Sequence, residues 1–143
     1  MSALTALAAG RAAAEAIMVD SCVITRVSGS PGPVDPATGE RTPAPRVTVY
    51  PLPGAEAPLD GRCKVQTFEP YESNRDSGGH VYTTQRYALH LPVGSGPVKV
   101  DDQVQVTTAV ADPQLAGREY RIAGLHHKSL ATAQRLPMEE VVG

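Results

Sequence analysis

The sequence predicts a mainly β protein: a small barrel or sandwich of about six to eight antiparallel strands, with one N-terminal α-helix and long loops. Short segments that alternate apolar and polar residues recur throughout the chain after residue 20. The 143 residues include 13 Gly and 13 Pro, which imply many turns and argue against a helical bundle. The length fits a single domain spanning residues 1–143, with the helix at 2–19 and the barrel at 20–143.

The helix is predicted from an alanine-rich segment that Ser2 can cap. Gly10 should weaken its middle by about 1 kcal/mol. Because such a helix is marginally stable alone, we expect it to dock on its own domain or on a neighbouring subunit. Its broad apolar face would comprise Leu4, Leu7, Ala8, Ala14, Ile17 and Met18.

This N-terminal segment does not have the pattern of a signal peptide. No basic region precedes the apolar run, and Arg11 and Glu15 interrupt it. No segment of the chain reaches the roughly 20 apolar residues that a membrane-spanning helix needs. We therefore expect a protein that is made and used without export.

In the first half, CVITRV, RVTVY and RCKVQTF are predicted strands. A turn-rich loop at 28–46 separates the first two, and its DPATGE sequence is typical of a tight turn. A second long loop, at 69–85, contains the polar stretch EPYESNRDSGG, which we predict to be a mobile surface loop.

In the second half, VYTTQRYALHLPV is a predicted strand that places Tyr87, Leu89 and Leu91 on one face. A short strand at 98–100, an acidic turn at Asp101–Asp102 and a longer strand should follow. REYRIAGLHHK, residues 118–128, and AQRLPMEEVV are the last predicted strands. Pro137 cannot donate a ladder hydrogen bond, so it indicates an edge strand or a bulge.

Cys22 and Cys63 lie inside predicted strands and have no CxxC spacing. Buried free thiols in a reducing compartment are the favoured interpretation, with a disulfide as the alternative.

The adjacent His126 and His127 are the most conspicuous candidates for chemistry. If residues 118–127 form a strand, neighbouring side chains point to opposite faces, so the two histidines would not easily bind one metal ion. His80 and His90 could join one of them only through an accident of the fold. We therefore favour structural or interface histidines and assign no metal ligand.

Enzymatic and nucleic-acid-binding patterns are weak. No GxSxG or phosphate-loop motif is present, and Asp101–Asp102 is interpreted as a turn rather than as a catalytic pair. Phe68, Tyr71, Tyr82 and Tyr87 could stack on bases, but a formal charge of −2 and the lack of a basic cluster count against this function.

Several segments together resemble a family of small proteins from tailed phages and prophages of actinobacteria. They are AAAEAIMVDSCVITR, DPATGE, RCKVQ, YALHLPV and MEEVV, with DPQLAGREYRIAGLHHKSLATAQRLP as the most specific. The likeness extends from about Leu7 to Val142. That family in turn resembles the head-completion proteins of long-tailed phages, known as head-to-tail stoppers or connectors.

The resemblance implies a small β-barrel with accessory helices or arms, and a function in assembly rather than in catalysis. It implies a homo-oligomeric ring of six or twelve copies, with portal or adaptor proteins above and a tail terminator or tail tube below. Double-stranded DNA would pass through the lumen without sequence recognition, and no membrane or cofactor is expected. The location would be the head-tail junction of the virion, and the host cytoplasm during assembly.

Two alternatives remain open: a tail terminator or adaptor ring of the same neck, and a metal-dependent or nucleic-acid-acting enzyme. The candidate lumen-gate or intersubunit residues are Glu69, Glu72, Asn74, Arg75, Asp76, Gly78 and Gly79. The candidate assembly helix presents Leu4, Leu7, Arg11, Ile17 and Met18. We assign no catalytic residue.

Overall fold

The computed structural model describes residues 2–67, 71–73, 82–84 and 86–141. Within these ranges the chain is mainly β with one α-helix near the N-terminus, which confirms the predicted fold class. The elements are α1 (Ala3–Ala16), β1 (Asp20–Val27), β2 (Arg46–Tyr50), β3 (Arg62–Thr67), β4 (Tyr71–Ser73), β5 (Tyr82–Thr84), β6 (Tyr87–Leu91), β7 (Gln103–Thr108), a short 3-10 helix (Pro113–Leu115), β8 (Glu119–Ile122) and β9 (Gln134–Glu140).

Six antiparallel strands form a closed barrel in the order β1-β3-β6-β9-β8-β7, and the pairing of β1 with β7 closes it. β2 is a seventh strand that pairs with β1 outside the ring. β1 pairs with three neighbouring strands, because its register shifts between Ser21 and Cys22 and again between Ile24 and Thr25. Such irregularities bend a strand and let it change partners.

The core fills the barrel interior with side chains from alternate strand positions. Tyr120 contacts the partly buried Tyr87 edge-to-face, with ring centroids 5.3 Å apart, so Tyr87 packs against the core rather than offering a free stacking surface. The buried cluster contains Cys22, Ile24, Val49, Tyr50, Cys63, Leu89, Leu91, Val98, Val104, Val106, Tyr120, Ile122, Leu136 and Met138.

The helix is shorter than predicted, and it contributes no buried residue. Ser2 caps it as expected, because its side chain accepts a hydrogen bond from the Thr5 N–H. A Cβ added to Gly10 would lie 2.9 Å from Thr132 Cγ2, so this glycine permits close approach to the loop before β9. No helix in the described part of the chain is long and apolar enough to cross a membrane.

Two predicted strands are corrected. Residues 98–100 form no strand, although Val98 is buried in the core. The strand predicted over 118–128 ends at Ile122.

Pro137 explains why β8 ends there. It lies in β9, which pairs with both β6 and β8, so the prediction of an edge strand is wrong. Its carbonyl accepts a hydrogen bond from the Ala123 N–H. The N and C=O of one strand residue point to the same side, so Pro137 has no donor to offer where β8 would continue. The ladder between the two strands therefore stops after the pair Ile122–Met138.

The region predicted as a long loop at 69–85 contains a two-stranded hairpin. β4 and β5 pair antiparallel, with Glu72 opposite Thr83. The strand at 82–84 falls within the predicted strand VYTTQRYALHLPV, whereas the strand at 71–73 lies in the stretch predicted as a surface loop.

Candidate functional site

The loop predicted at 28–46 is a hairpin arm over residues 28–45, here called the β1–β2 arm. Its two sides are joined by the hydrogen bonds Ser28 N to Pro45 O at 2.8 Å and Gly32 N to Thr42 O at 2.9 Å. At the tip, Asp35 N donates to Glu40 O at 2.7 Å, and Asp35 Oδ1 accepts from Ala37 N at 2.9 Å. The predicted tight turn in DPATGE is thus confirmed, and the arm is ordered by its own backbone.

The side chains of this arm are left almost entirely in solvent. Gly32 and Ala44 are half-buried, and every other arm residue is exposed. Near the tip, Val34 is 48% exposed, and Asp35 and Glu40 are exposed at the turn. An ordered hairpin that fully buries none of its side chains against its own barrel is available for contact with another molecule.

An open cleft of about 510 Å³ lies at the end of the barrel where β6 finishes and β9 begins. It brings together three short segments that are distant in sequence. Its lining consists of Val93, Gly94, His126, His127, Lys128, Ala131, Ala133, Gln134 and Arg135.

The two adjacent histidines lie in the loop after β8, not in a strand. The prediction that the two histidines point to opposite faces of a sheet assumed that both lie in a strand. β8 ends four residues before His126, so this assumption does not hold. Both are exposed, and both line the cleft together with Lys128. Their position is compatible with the interface role predicted for them, but for a different geometric reason.

The cleft is electropositive. Within the described part of the chain its lining contains Lys128 and Arg135 and no Asp or Glu. Arg135 also ends a row of basic residues on the outer barrel face, because it pairs with His90, which pairs with Lys64. Partial burial, assisted by Arg135 and Lys64, lowers the pKa of His90, so this imidazole favours its neutral form.

The arm and the cleft lie at the same end of the barrel. β1, β6 and β8 run in the same direction, since each is separated from the next by one antiparallel neighbour. The arm follows β1, Val93 and Gly94 follow β6, and the histidines follow β8. One barrel end therefore carries both an acidic, partly apolar projection and a basic recess.

A partly buried ion pair stabilises this end. Asp102 is 2% exposed and accepts two hydrogen bonds from Arg26, both at 2.8 Å, and a third from Lys99 N at 2.8 Å. Arg26 also donates to Pro97 O at 2.8 Å, and its hydrogen bond to Asp102 raises the pKa of the guanidinium further. Asp101 has a φ of 75° and binds Arg121. The predicted acidic turn is thus confirmed.

Of the seven candidate gate residues, only Glu72 lies among the described residues. Glu69, Asn74, Arg75, Asp76, Gly78 and Gly79 lie outside the described residues, as do His80 and Phe68. Glu72 lies in β4, where its backbone pairs with β5.

The candidate assembly helix is described completely. Leu4 is 71% exposed and Ile17 is also exposed, whereas Leu7 and Arg11 are half-buried. Arg11 Nε donates to Ala131 O at 3.1 Å, so the helix is held beside the cleft by a polar contact. Met18 lies beyond the helix and is 5% exposed, so its side chain is buried within this chain.

Cys22 and Cys63 are buried free thiols, as predicted. A hydrogen bond between them and the burial of the site raise the pKa of Cys22, which disfavours the reactive thiolate. Among the described residues, no group of three or more His, Cys, Asp or Glu side chains is placed to hold a metal ion.

Sequence patterns did not reveal the cleft or the Arg26–Asp102 pair. The run His126-His127-Lys128 was a local signal for the first. The second had no local signal, because 76 residues separate its members.

Comparison with known proteins gives a single family. The profile described as a family of unknown function, DUF6093, matches residues 10–139. No curated protein and no solved structure gives a significant match. Since the matched region includes nearly all of the barrel and half of the helix, the chain belongs to the DUF6093 family.

Proposed function

We propose that this protein is a virion structural component of the head-tail junction, a stopper or connector ring that seals the packaged-DNA channel and carries the tail. It would act by assembly rather than by catalysis. The proposal starts from the resemblance of its sequence segments to phage head-completion proteins. Portal or adaptor proteins would contact one side of the ring, and a tail terminator or tail tube the other.

The observation that carries the proposal is the ordered, solvent-exposed β1–β2 arm on a closed barrel. Maintaining 18 residues of hairpin costs conformational entropy that burial against the protein's own core does not offset. Contact with a neighbouring subunit would supply the missing burial. Helix α1, which buries no residue, offers a second surface of the same kind.

The charge distribution is compatible with DNA passage. The formal charge of −2 provides no overall positive field to hold phosphates by counterion release. The basic groups of the cleft are concentrated at one barrel end and could serve protein contacts instead of lining a channel.

The test is to delete the gene from a phage or prophage that encodes it and to examine the particles by electron microscopy. We expect heads that have lost their DNA, separate tails of normal length, and recovery by the wild-type gene. Tails of abnormal length on DNA-filled heads would favour a terminator instead. Fully infectious particles would contradict any role in the neck.

A further inference from the structure

We infer that the tip of the β1–β2 arm of one subunit docks in the cleft of a second copy of this chain. This inference rests on the proposed ring and specifies how its subunits contact each other. The two surfaces match in charge and in polarity, and the arm is already shaped for insertion.

The charges are opposite. The arm tip presents the carboxylates of Asp35 and Glu40, both exposed. The cleft presents Lys128 and Arg135, with His126 and His127 as further hydrogen-bond donors. Arg41 on the arm would remain at the rim, because it pairs across the hairpin from Val34 and not at the turn. Such complementarity steers association and fixes orientation.

The apolar parts also correspond. Pro36 and Ala37 are exposed in the turn between Asp35 and Glu40, and the cleft includes the apolar side chains of Val93, Ala131 and Ala133. A volume of about 510 Å³ accommodates a few side chains of a hairpin tip. Insertion of the turn residues Pro36 and Ala37 would thus remove apolar surface of both partners from water.

The arm has already lost most of its backbone freedom. The hydrogen bonds Gly32–Thr42, Asp35–Glu40 and Gly39–Asp35 hold the tip before any partner arrives. Preorganisation of this kind lowers the entropic cost of docking.

The contact would be heterologous, since an arm on one subunit meets a cleft on the next. Interfaces of this kind close into rings when the rotation between subunits permits it, whereas a reciprocal contact stops at a dimer. The location of both features at one barrel end would put successive contacts at the same level of a ring.

The experiment is a charge exchange on the full chain. The arm variant is Asp35→Lys/Glu40→Lys, the cleft variant is Lys128→Glu/Arg135→Glu, and a third protein combines them. Glu56→Lys, at an exposed carboxylate outside the arm, is the matched control. Sedimentation equilibrium and light scattering measure the assembly, and circular dichroism checks that every variant is folded.

Each reversal should raise the apparent dissociation constant of the oligomer by at least about tenfold, and the combined protein should recover most of the affinity. The control should assemble like the wild type. Unchanged assembly of the two reversals would overturn the inference, as would failure of the combined protein to recover when all variants are folded.

A second measurement uses the double variant Thr38→Cys/Ala131→Cys, which puts one thiol on the arm tip and one in the cleft. Mild oxidation should give covalent multimers, and neither single variant should form a ladder. A wild type that remains monomeric and a double variant cross-linked only within one chain would overturn the inference. Binding of inorganic phosphate to the cleft, with no effect of the arm variant on assembly, would identify a simple anion site instead.

These failures would not decide the proposed function. Gene deletion and electron microscopy of the neck test the ring's position in the particle without reference to arm or cleft. Conversely, normal particles without this protein would reject the neck role while the charge exchange still reported on self-association.

Discussion

Arg26 and Asp102 form a bidentate ion pair that joins β1 to the turn before β7, with both N–O distances at 2.8 Å. The pair lies next to the seam where β1 and β7 close the barrel. Because Asp102 is 2% exposed and its carboxylate accepts three hydrogen bonds, the loss of this one side chain removes several supports at once.

Asp102→Ala should lower the free energy of unfolding by about 3 kcal/mol, because it removes the carboxylate to which Arg26 and the Lys99 N–H donate. The measurement is equilibrium denaturation in urea. Asp101→Asn is the matched control, since Asp101 is exposed and Asn tolerates its positive φ. The control should cost less than about 1 kcal/mol. Equal losses of unfolding free energy in the two variants would show that the Arg26–Asp102 pair contributes no more than an exposed ion pair.

His90 should make the protein less stable in mild acid. Its pKa is lowered in the folded state by burial and by Arg135 and Lys64, so the unfolded chain binds its proton first as pH falls below about 6.5. Stability therefore rises with pH through this window, and the penalty is complete once pH is below the folded pKa. His90→Gln removes the titrating group.

Lowering the pH from about 8 to about 5 should therefore reduce the melting temperature of the wild type more than that of His90→Gln. Thermal unfolding followed by circular dichroism at both pH values measures it. At pH 8 the histidine and the glutamine are both neutral, so the difference in melting temperature at this pH reports only the effect of the substitution on packing. A difference that does not change with pH would refute the assignment.

Met18 should matter more to folding than any residue of the preceding helix. It is 5% exposed, so Met18→Ala should destabilise the barrel by about 2 kcal/mol or more. Leu4→Ala, at a position that is 71% exposed, should change the unfolding free energy by less than about 0.5 kcal/mol. Denaturant unfolding of both variants tests the comparison.

The burial of Met18 also determines how much of the N-terminal segment can be deleted without unfolding the protein. Deletion of residues 2–16 should leave a folded barrel, whereas a deletion that includes Met18 should destabilise it. If the shorter deletion also unfolds the protein, the helix contributes to stability in a way that its exposed side chains do not explain.

The two thiols should be protected in the folded protein. Cys22 and Cys63 are buried, and the pKa of Cys22 is raised by its hydrogen bond to Cys63 and by burial. Reaction with a coloured aromatic disulfide at about pH 8 should therefore be slow in buffer and fast in guanidinium. An introduced thiol, Ser30→Cys in the exposed arm, should react at once and serve as control. Rapid labelling of the native protein would contradict the buried placement.

The sequence predicted the strands best where local signals bracket them. β2 has the predicted bounds because Pro45 and Pro51 flank its alternating residues. The end of β8 could not be predicted locally, since it depends on Pro137 of a different strand. The cleft was equally hidden, because Gly94 and His126 come together only through barrel closure.

Closure of the barrel sets the order in which the chain can fold during synthesis. β1 leaves the ribosome first, but its partner β7 follows about 80 residues later, and β9 must arrive last to join β6 to β8. Until β9 is available, several strands have an unpaired edge. Contacts between strands so far apart in the sequence also form slowly. Nascent chains that stop before β9 should consequently be substrates for chaperones or proteases, because the ring cannot close without it.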